Sequence, residues 1–211
     1  LGVNNDIELT YWALRHNIIE STDRRCLLLS VSSGPFTTDC RRCKRLHAFL
    51  QASKGKYPDY YCKPVPSFGT DDARLLIVGL APGLHGANAT GRPFTGDYAG
   101  VLLYETLHQH GFASRRESVA SNDGLELFDC RITNAVRCLP PQNKPVGAEV
   151  NQCNPYLAAE LESLPIGSVV IALGAIAHKA VIKALGLRQK EYAFAHAALH
   201  SLPAGLVLVD S

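Results

Sequence analysis

Two pairs of cysteines, Cys40-x2-Cys43 and Cys138-x14-Cys153, carry the first chemistry legible in the 211 residues. A two-residue gap lets both sulfurs turn toward one metal ion or cluster, so this spacing recurs in zinc and iron–sulfur sites. The second pair brackets Pro140, Pro141, Asn143, Pro145 and Gly147, a stiff loop tied at both ends. Four thiolates divided in this way suit a tetrahedral zinc or a 4Fe-4S cluster, and disulfides are disfavoured in the reducing setting expected here. The plainer reading is four unrelated buried thiols. Cys26, Cys62 and Cys130 are left over and are expected to be buried apolar thiols.

The second concentration of chemistry is residues 79–100. Gly79, Gly83, Gly86, Gly91, Gly96 and Gly100 recur there with Pro82 and Pro93, around Asn88, Arg92, Phe94 and Asp97. A backbone this rich in glycine turns sharply and lets a ligand approach the main chain. The spacing matches neither the Gly-x-Gly-x-x-Gly dinucleotide pattern nor the Walker loop, which demotes nicotinamide and nucleoside-triphosphate readings. Asp97 has a bland role open to it as a carboxylate at a helix N-terminus. Asn134 ends an apolar run, and its amide offers a donor and an acceptor in one plane, the complement of a pyrimidine edge. A structurally satisfied asparagine is the alternative.

These groups need elements to hold them. Apolar runs at 75–78, 132–136, 168–173 and 206–209 read as four buried strands, alternating with helical stretches at 99–111, 153–164 and 175–185. Such alternation calls for a parallel sheet covered on both faces, with ligand loops converging beyond the strands' C-terminal ends. Val101, Leu102 and Leu107 are expected on the inward face of the first of these helices, with His108 and His110 exposed. His178, Lys179 and Lys183 are expected to face outward or toward a partner, and residues 115–129 to form a surface connection. Tyr57, Tyr60 and Tyr61 precede a proline-rich stretch and read as a surface arm packed by its own aromatics rather than a platform for bases. In residues 1–36, Leu9, Trp12, Leu14, Ile18 and Ile19 fit one helical face without a functional signal.

A composition 46% hydrophobic and 19% charged fits one α/β domain. A formal charge of +2 implies no polyanion by itself, so only patches such as Arg41, Arg42, Lys44 and Arg45, or Arg115 and Arg116, argue for one. No apolar run reaches the roughly 18 residues of a membrane span. A cytoplasmic monomer is expected.

Gly-Leu-Ala-Pro-Gly at 79–83, Thr-Gly-Arg-Pro-Phe-Thr-Gly-Asp-Tyr-Ala-Gly at 90–100, Ile-Thr-Asn-Ala-Val-Arg-Cys at 132–138 and the four thiols together resemble the iron–sulfur uracil-DNA glycosylases, family 5 above all. The resemblance covers about residues 36–211. It leaves residues 1–36 as a segment of unassigned role and makes 37–211 a glycosylase-like domain. It implies a three-layer α/β/α sandwich with a four-stranded parallel sheet, a 4Fe-4S cluster on Cys40, Cys43, Cys138 and Cys153, and hydrolysis of uracil from DNA to leave an abasic site. Phe94 would stack on the extruded base, Asn134 would bond its Watson–Crick edge, and the main chain of Leu80, Ala81, Pro82 and Gly83 would line the pocket. Leu80 stands where the superfamily often has a carboxylate or amide, so handling of water falls to Asp97. An apolar Leu80 also permits other deaminated bases. The cluster would shape a basic loop near DNA, with Arg137 and the proline-rich 139–146 stretch. In the family a second motif, opening with histidine, follows the last strand directly; the sequence ends one step short of it, and the domain is expected to be cut there. The competing expectation is a non-enzymatic nucleic-acid-binding module with a structural metal.

Overall fold

Every residue of Leu75–Gly79 is buried, as a strand covered on both faces must be, and this strand lies in the middle of the sheet. The computed structural model describes residues 36–211; the helical face expected between Leu9 and Ile19, and Cys26, lie outside the described residues. In chain order the regular elements are α1 (Lys44–Lys56), β1 (Phe68–Gly69), β2 (Leu75–Gly79), a short α2 (Ala87–Thr90), α3 (Tyr98–Gln109), β3 (Cys130–Asn134), α4 (Gly147–Ser163), β4 (Val169–Ala172), α5 (Ala175–Ala184), β5 (Leu199–Ser201) and β6 (Val207–Asp210).

The sheet has six strands in the order β1-β3-β2-β4-β6-β5, which corrects the expected four. The four expected strands are β3, β2, β4 and β6, and they pair in parallel. Each edge gains a short antiparallel strand, β1 against β3 and β5 against β6. These edges are two and three residues long and incompletely buried, too short for an alternating pattern to register.

Alternation along the strands sorts the core into two layers. Leu76, Val78, Val170, Ala172 and Leu208 pack with Leu157, Leu161, Ala177, Val181 and Ile182 from α4 and α5. Leu75, Ile77, Ile132, Ile171 and Val209 face the other way, against Leu103, Tyr104 and Leu107 of α3. The result is the expected three-layer α/β/α arrangement. Within α3, Leu107 points inward as expected, but Val101 and Leu102 are 58% and 66% exposed and correct that expectation. The inward stripe runs instead through Gly100, Leu103, Tyr104 and Leu107.

Arg92, Arg137 and His178 are buried with partners distant in sequence, and for Arg137 and His178 this corrects the expected DNA-facing and outward positions. Arg92 donates to Asp123 Oδ1 at 2.7 Å, to Ser118 at 2.9 Å and to the Ser121 carbonyl at 2.9 Å, with its guanidinium 4.4 Å from the Phe68 ring centre. Arg137 pairs with Glu160 at 2.8 Å and lies 4.4 Å from the centre of the Phe36 ring, so it is a structural residue and not part of a DNA-facing loop. His178 is enclosed between Asp210 Oδ1 at 2.6 Å and the Tyr192 carbonyl at 2.9 Å; Asp210 Oδ2 meets His200 Nε2 at 3.0 Å. Removing one partner from a buried ion pair typically costs about 3–5 kcal/mol, because the other charge stays behind uncompensated.

These pairings set the acid response. Burial works against the Asp123 carboxylate, but the amides of Leu125, Val119 and Ala120 and the Arg92 guanidinium outweigh it and hold the carboxyl well below its ordinary range. Glu160 is likewise lowered despite burial, by Arg137, the Ser67 hydroxyl and Arg131. A depressed folded-state value means stability is present above the unfolded carboxylate pKa of about 4 and drains away as pH falls toward the lower folded value. Denaturant titrations at pH 6 and pH 3 should therefore show a falling midpoint in the wild type. Asp123→Asn should start lower at pH 6 and lose less on acidification.

Candidate active site

Parallel pairing sets Gly79, the last residue of β2, beside Asn134, the last residue of β3. A methyl group on Gly79 would come within 2.5 Å of Asn134 Oδ1 and 2.6 Å of Phe94 Cζ, so the amide and the ring both close on the glycine main chain. Asn134 is buried, with its Oδ1 facing Gly79. Phe94 is half-buried and holds φ +53°, a left-handed conformation that costs a non-glycine residue roughly 1–2 kcal/mol. Its carbonyl lies where a side chain at Gly100 would have to be, 1.7 Å from an added Cβ, so α3 can begin here only with glycine at that position.

Asp97 is half-buried and occupies the N-cap of α3. Its Oδ1 accepts from the Gly100 amide at 2.9 Å, the local role that the sequence left open. The cap uses one oxygen. Oδ2 turns toward the glycines of the preceding loop: an added Cβ would meet it at 2.5 Å on Gly86 and 3.8 Å on Gly83. Residues 80–83 supply the rest of the rim, with Leu80, Ala81 and Gly83 half-buried and Pro82 buried. The carbonyls of Gly79 and Leu80 are taken by the amides of Ala135 and Val136. The amides of Ala81 and Gly83 make no main-chain hydrogen bond among the described residues, leaving two donors at the loop.

The remaining polar residues of the loop turn to structure. Asn88 is fully buried and reaches Cys62 Sγ and the Leu84 carbonyl, both at 3.5 Å, while Arg92 anchors the 118–123 segment. Sequence reasoning passed over His85, which is exposed on this loop and whose Nδ1 lies 2.8 Å from the Tyr60 hydroxyl. Its signal was its place directly before Gly86 in the ligand loop.

The four thiols of 40, 43, 138 and 153 gather in one apolar cluster with Leu46, Leu50, Val136, Leu139 and Tyr156, and Ala81 and Leu84 of the loop pack against it. Cys43 caps α1, Cys138 follows β3 and Cys153 lies in α4. Arg45 ties α1 to α4 through a two-pronged contact to Glu149, both bonds 2.7 Å. The Tyr156 hydroxyl is 3.5 Å from Cys40 Sγ. Burial, then Cys153, Glu149 and Cys40, push the Cys43 thiol up to about 11. Burial, then the other three sulfurs, raise Cys138 as well. A cation among them reverses that penalty, since the thiolate is the ligand form.

The spread of the donors bears on which cation. Around one zinc all four sulfurs would stand about 4 Å apart. Among the described residues the one trio of His, Cys, Asp or Glu donors within 4.8 Å of one another is His178, His200 and Asp210, so no three of these sulfurs are that close. That spread is wider than four sulfurs around one zinc would have.

Gly79→Ala tests the central contact. The side-chain amide signals of Asn134 should shift in a nitrogen-correlated spectrum, with a loss of about 1–3 kcal/mol for overpacking. Unchanged Asn134 signals would mean that the contact is absent.

A profile of the Uracil DNA glycosylase superfamily matches residues 66–207, a span that contains Gly79, Phe94, Asp97 and Asn134. The chain is 44% identical over 179 residues to a type-5 uracil-DNA glycosylase of Thermus thermophilus, covering 82% of this chain and 81% of that protein. It is 42% identical over 152 residues to the type-5 enzyme of Pyrobaculum aerophilum (70% and 67% covered) and 39% identical over 178 residues to that of Mycobacterium leprae (81% and 78%). A type-4 uracil-DNA glycosylase of Pyrobaculum aerophilum is 35% identical over 150 residues. With the three-layer fold and the glycine-lined rim, these matches place the chain in the uracil-DNA glycosylase superfamily, in its type-5 branch.

Proposed function

We propose that this protein is a DNA repair glycosylase that hydrolyses the bond between deoxyribose C1′ and uracil N1, leaving an abasic site. The observation that carries the reading is the Asp97 carboxylate, held by one oxygen at the start of α3 with the other turned to the glycine loop. As the C1′–N1 bond breaks, the bonding pair leaves with uracil and the sugar becomes cationic. Asp97 stabilises that cation and orients the water whose oxygen bonds to C1′. Extruding the nucleotide costs a few kcal/mol of unstacking, and stacking on Phe94 returns roughly 1–3 kcal/mol of it. Asn134, at the end of β3, takes the Watson–Crick edge, and the amides of Ala81 and Gly83 supply donors to the leaving base.

Cys40, Cys43, Cys138 and Cys153 would hold a 4Fe-4S cluster. When bound it supplies a structural crosslink between α1, α4 and the end of β3. The apolar contact of Ala81 and Leu84 with the thiol cluster carries that bracing to the loop beside Asp97.

The protein incubated with uracil-containing duplex, then with alkali, should give strand cleavage only at uracil. Asp97→Ala should lower the rate about 10²–10⁴-fold with binding retained. Binding without an abasic product would instead identify a non-enzymatic nucleic-acid-binding module. Release of hypoxanthine or xanthine would extend the substrate range in the direction an apolar Leu80 permits.

The cofactor has its own test. Purified protein should be brown and contain iron and sulfide; Cys138→Ala should bleach it and lower the unfolding midpoint. A colourless preparation with stoichiometric zinc would overturn the cluster assignment.

A further inference from the structure

Beside the rim lies an aromatic and basic unit that the glycosidic chemistry does not use. The rings of Tyr57 and Tyr60 stack at 4.7 Å with 12° between their planes, and the His85 ring meets both edge-on, at 5.5 and 5.9 Å. The Lys56 ammonium lies 5.2 Å from the centre of the Tyr57 ring, and Lys54 Nζ donates to the Tyr60 carbonyl at 2.6 Å. The arm is laid along the ligand loop by main-chain bonds from Tyr61 to Ala89 and from Cys62 to Asn88, both 3.0 Å, and by the Tyr61 ring against Gly91.

We propose that Tyr57, Tyr60 and His85, together with Lys54 and Lys56, form a contact surface for the phosphate backbone of duplex DNA beside the extruded nucleotide. This rests on the reading of the chain as a DNA glycosylase. Position is the first argument. His85 precedes Gly86, whose Cα is packed against the Asp97 carboxylate. His85 is thus one residue along the loop from the contact with the Asp97 carboxylate, so a phosphate flanking a sugar seated at Asp97 is the group it would meet.

Chemistry is the second. The Tyr60 hydroxyl holds His85 Nδ1 at 2.8 Å, which turns Nε2 of this exposed residue outward with no partner among the described residues, and the Nε2–H tautomer, with Tyr60 as donor, is the one a phosphate would select. One N–H donor and two exposed ammonium groups suit a phosphate; Asp59 in the same turn offsets one charge and leaves the unit cationic. The tyrosines act as a rigid base for the histidine: each gives one face to the other, and the second face of Tyr57 is taken by Lys56.

The test measures binding of the full chain to duplex carrying 2′-fluoro-2′-deoxyuridine, which resists cleavage, across a range of potassium chloride. Lys54→Ala/Lys56→Ala should flatten the slope of log K against log salt by about 1 to 2. His85→Ala should weaken binding about tenfold and raise KM on uracil duplex more than it lowers kcat. Tyr60→Phe should give a smaller loss of the same kind. If the wild type binds and releases uracil but the lysine variant keeps its slope and His85→Ala keeps its affinity, this inference falls and the glycosylase reading stands. Variants that lose thermal stability without those changes also overturn it, assigning the unit a structural role. A wild type that neither binds duplex nor releases uracil removes both.

Discussion

Parallel pairing of β2 and β3 sets Gly79 opposite Asn134, and the missing side chain at 79 lets the Phe94 ring and the Asn134 amide both close on it at the strand ends. The rest of the rim follows from that contact. Phe94 reaches the position by adopting a left-handed backbone, its carbonyl then demands glycine at 100, and the turn that results begins α3 with Asp97 as its cap. Strain at one residue and glycine at two others are thus one geometric solution. Backbone strain of this kind persists where surrounding contacts over-determine it, which is the usual circumstance of a working site.

What the sequence made legible was whatever local pattern determines. Continuous apolar runs marked β2, β3, β4 and β6, because a parallel strand buried on both faces has no polar face to interrupt it. The glycine density of 79–100 marked the loop. Pairings between residues far apart in the chain were illegible. Arg137 read as DNA-facing, His178 as outward and Arg92 as a polar group of the ligand loop, and only Asp123, Glu160 and Asp210 in the folded chain make their burial tolerable. Val101 and Leu102 erred the other way: being apolar they read as core, yet the stripe of α3 that meets the sheet is set by Leu103, Tyr104 and Leu107. Asp97 was read as either a cap or a catalytic group; its two oxygens leave room for both, since the cap engages only one.

The thiol cluster and the rim are neighbours through packing rather than through polar contact. Val136 and Leu139 continue from β3 into the same apolar cluster that receives Ala81 and Leu84 from the loop. Arg45 and Glu149 close the far side by tying the first turns of α1 and α4 together. The sulfurs are therefore approached from three separate segments of chain, and whatever fixes their separation fixes the spacing of those segments.

The crowding around Gly79, Gly86 and Gly100 also limits how such a protein can diversify. A floor without spare volume admits no graded change: the smallest possible addition at any of these three positions collides with the amide, the carboxylate or a carbonyl. The half-buried lip at Leu80 is free of those three collisions.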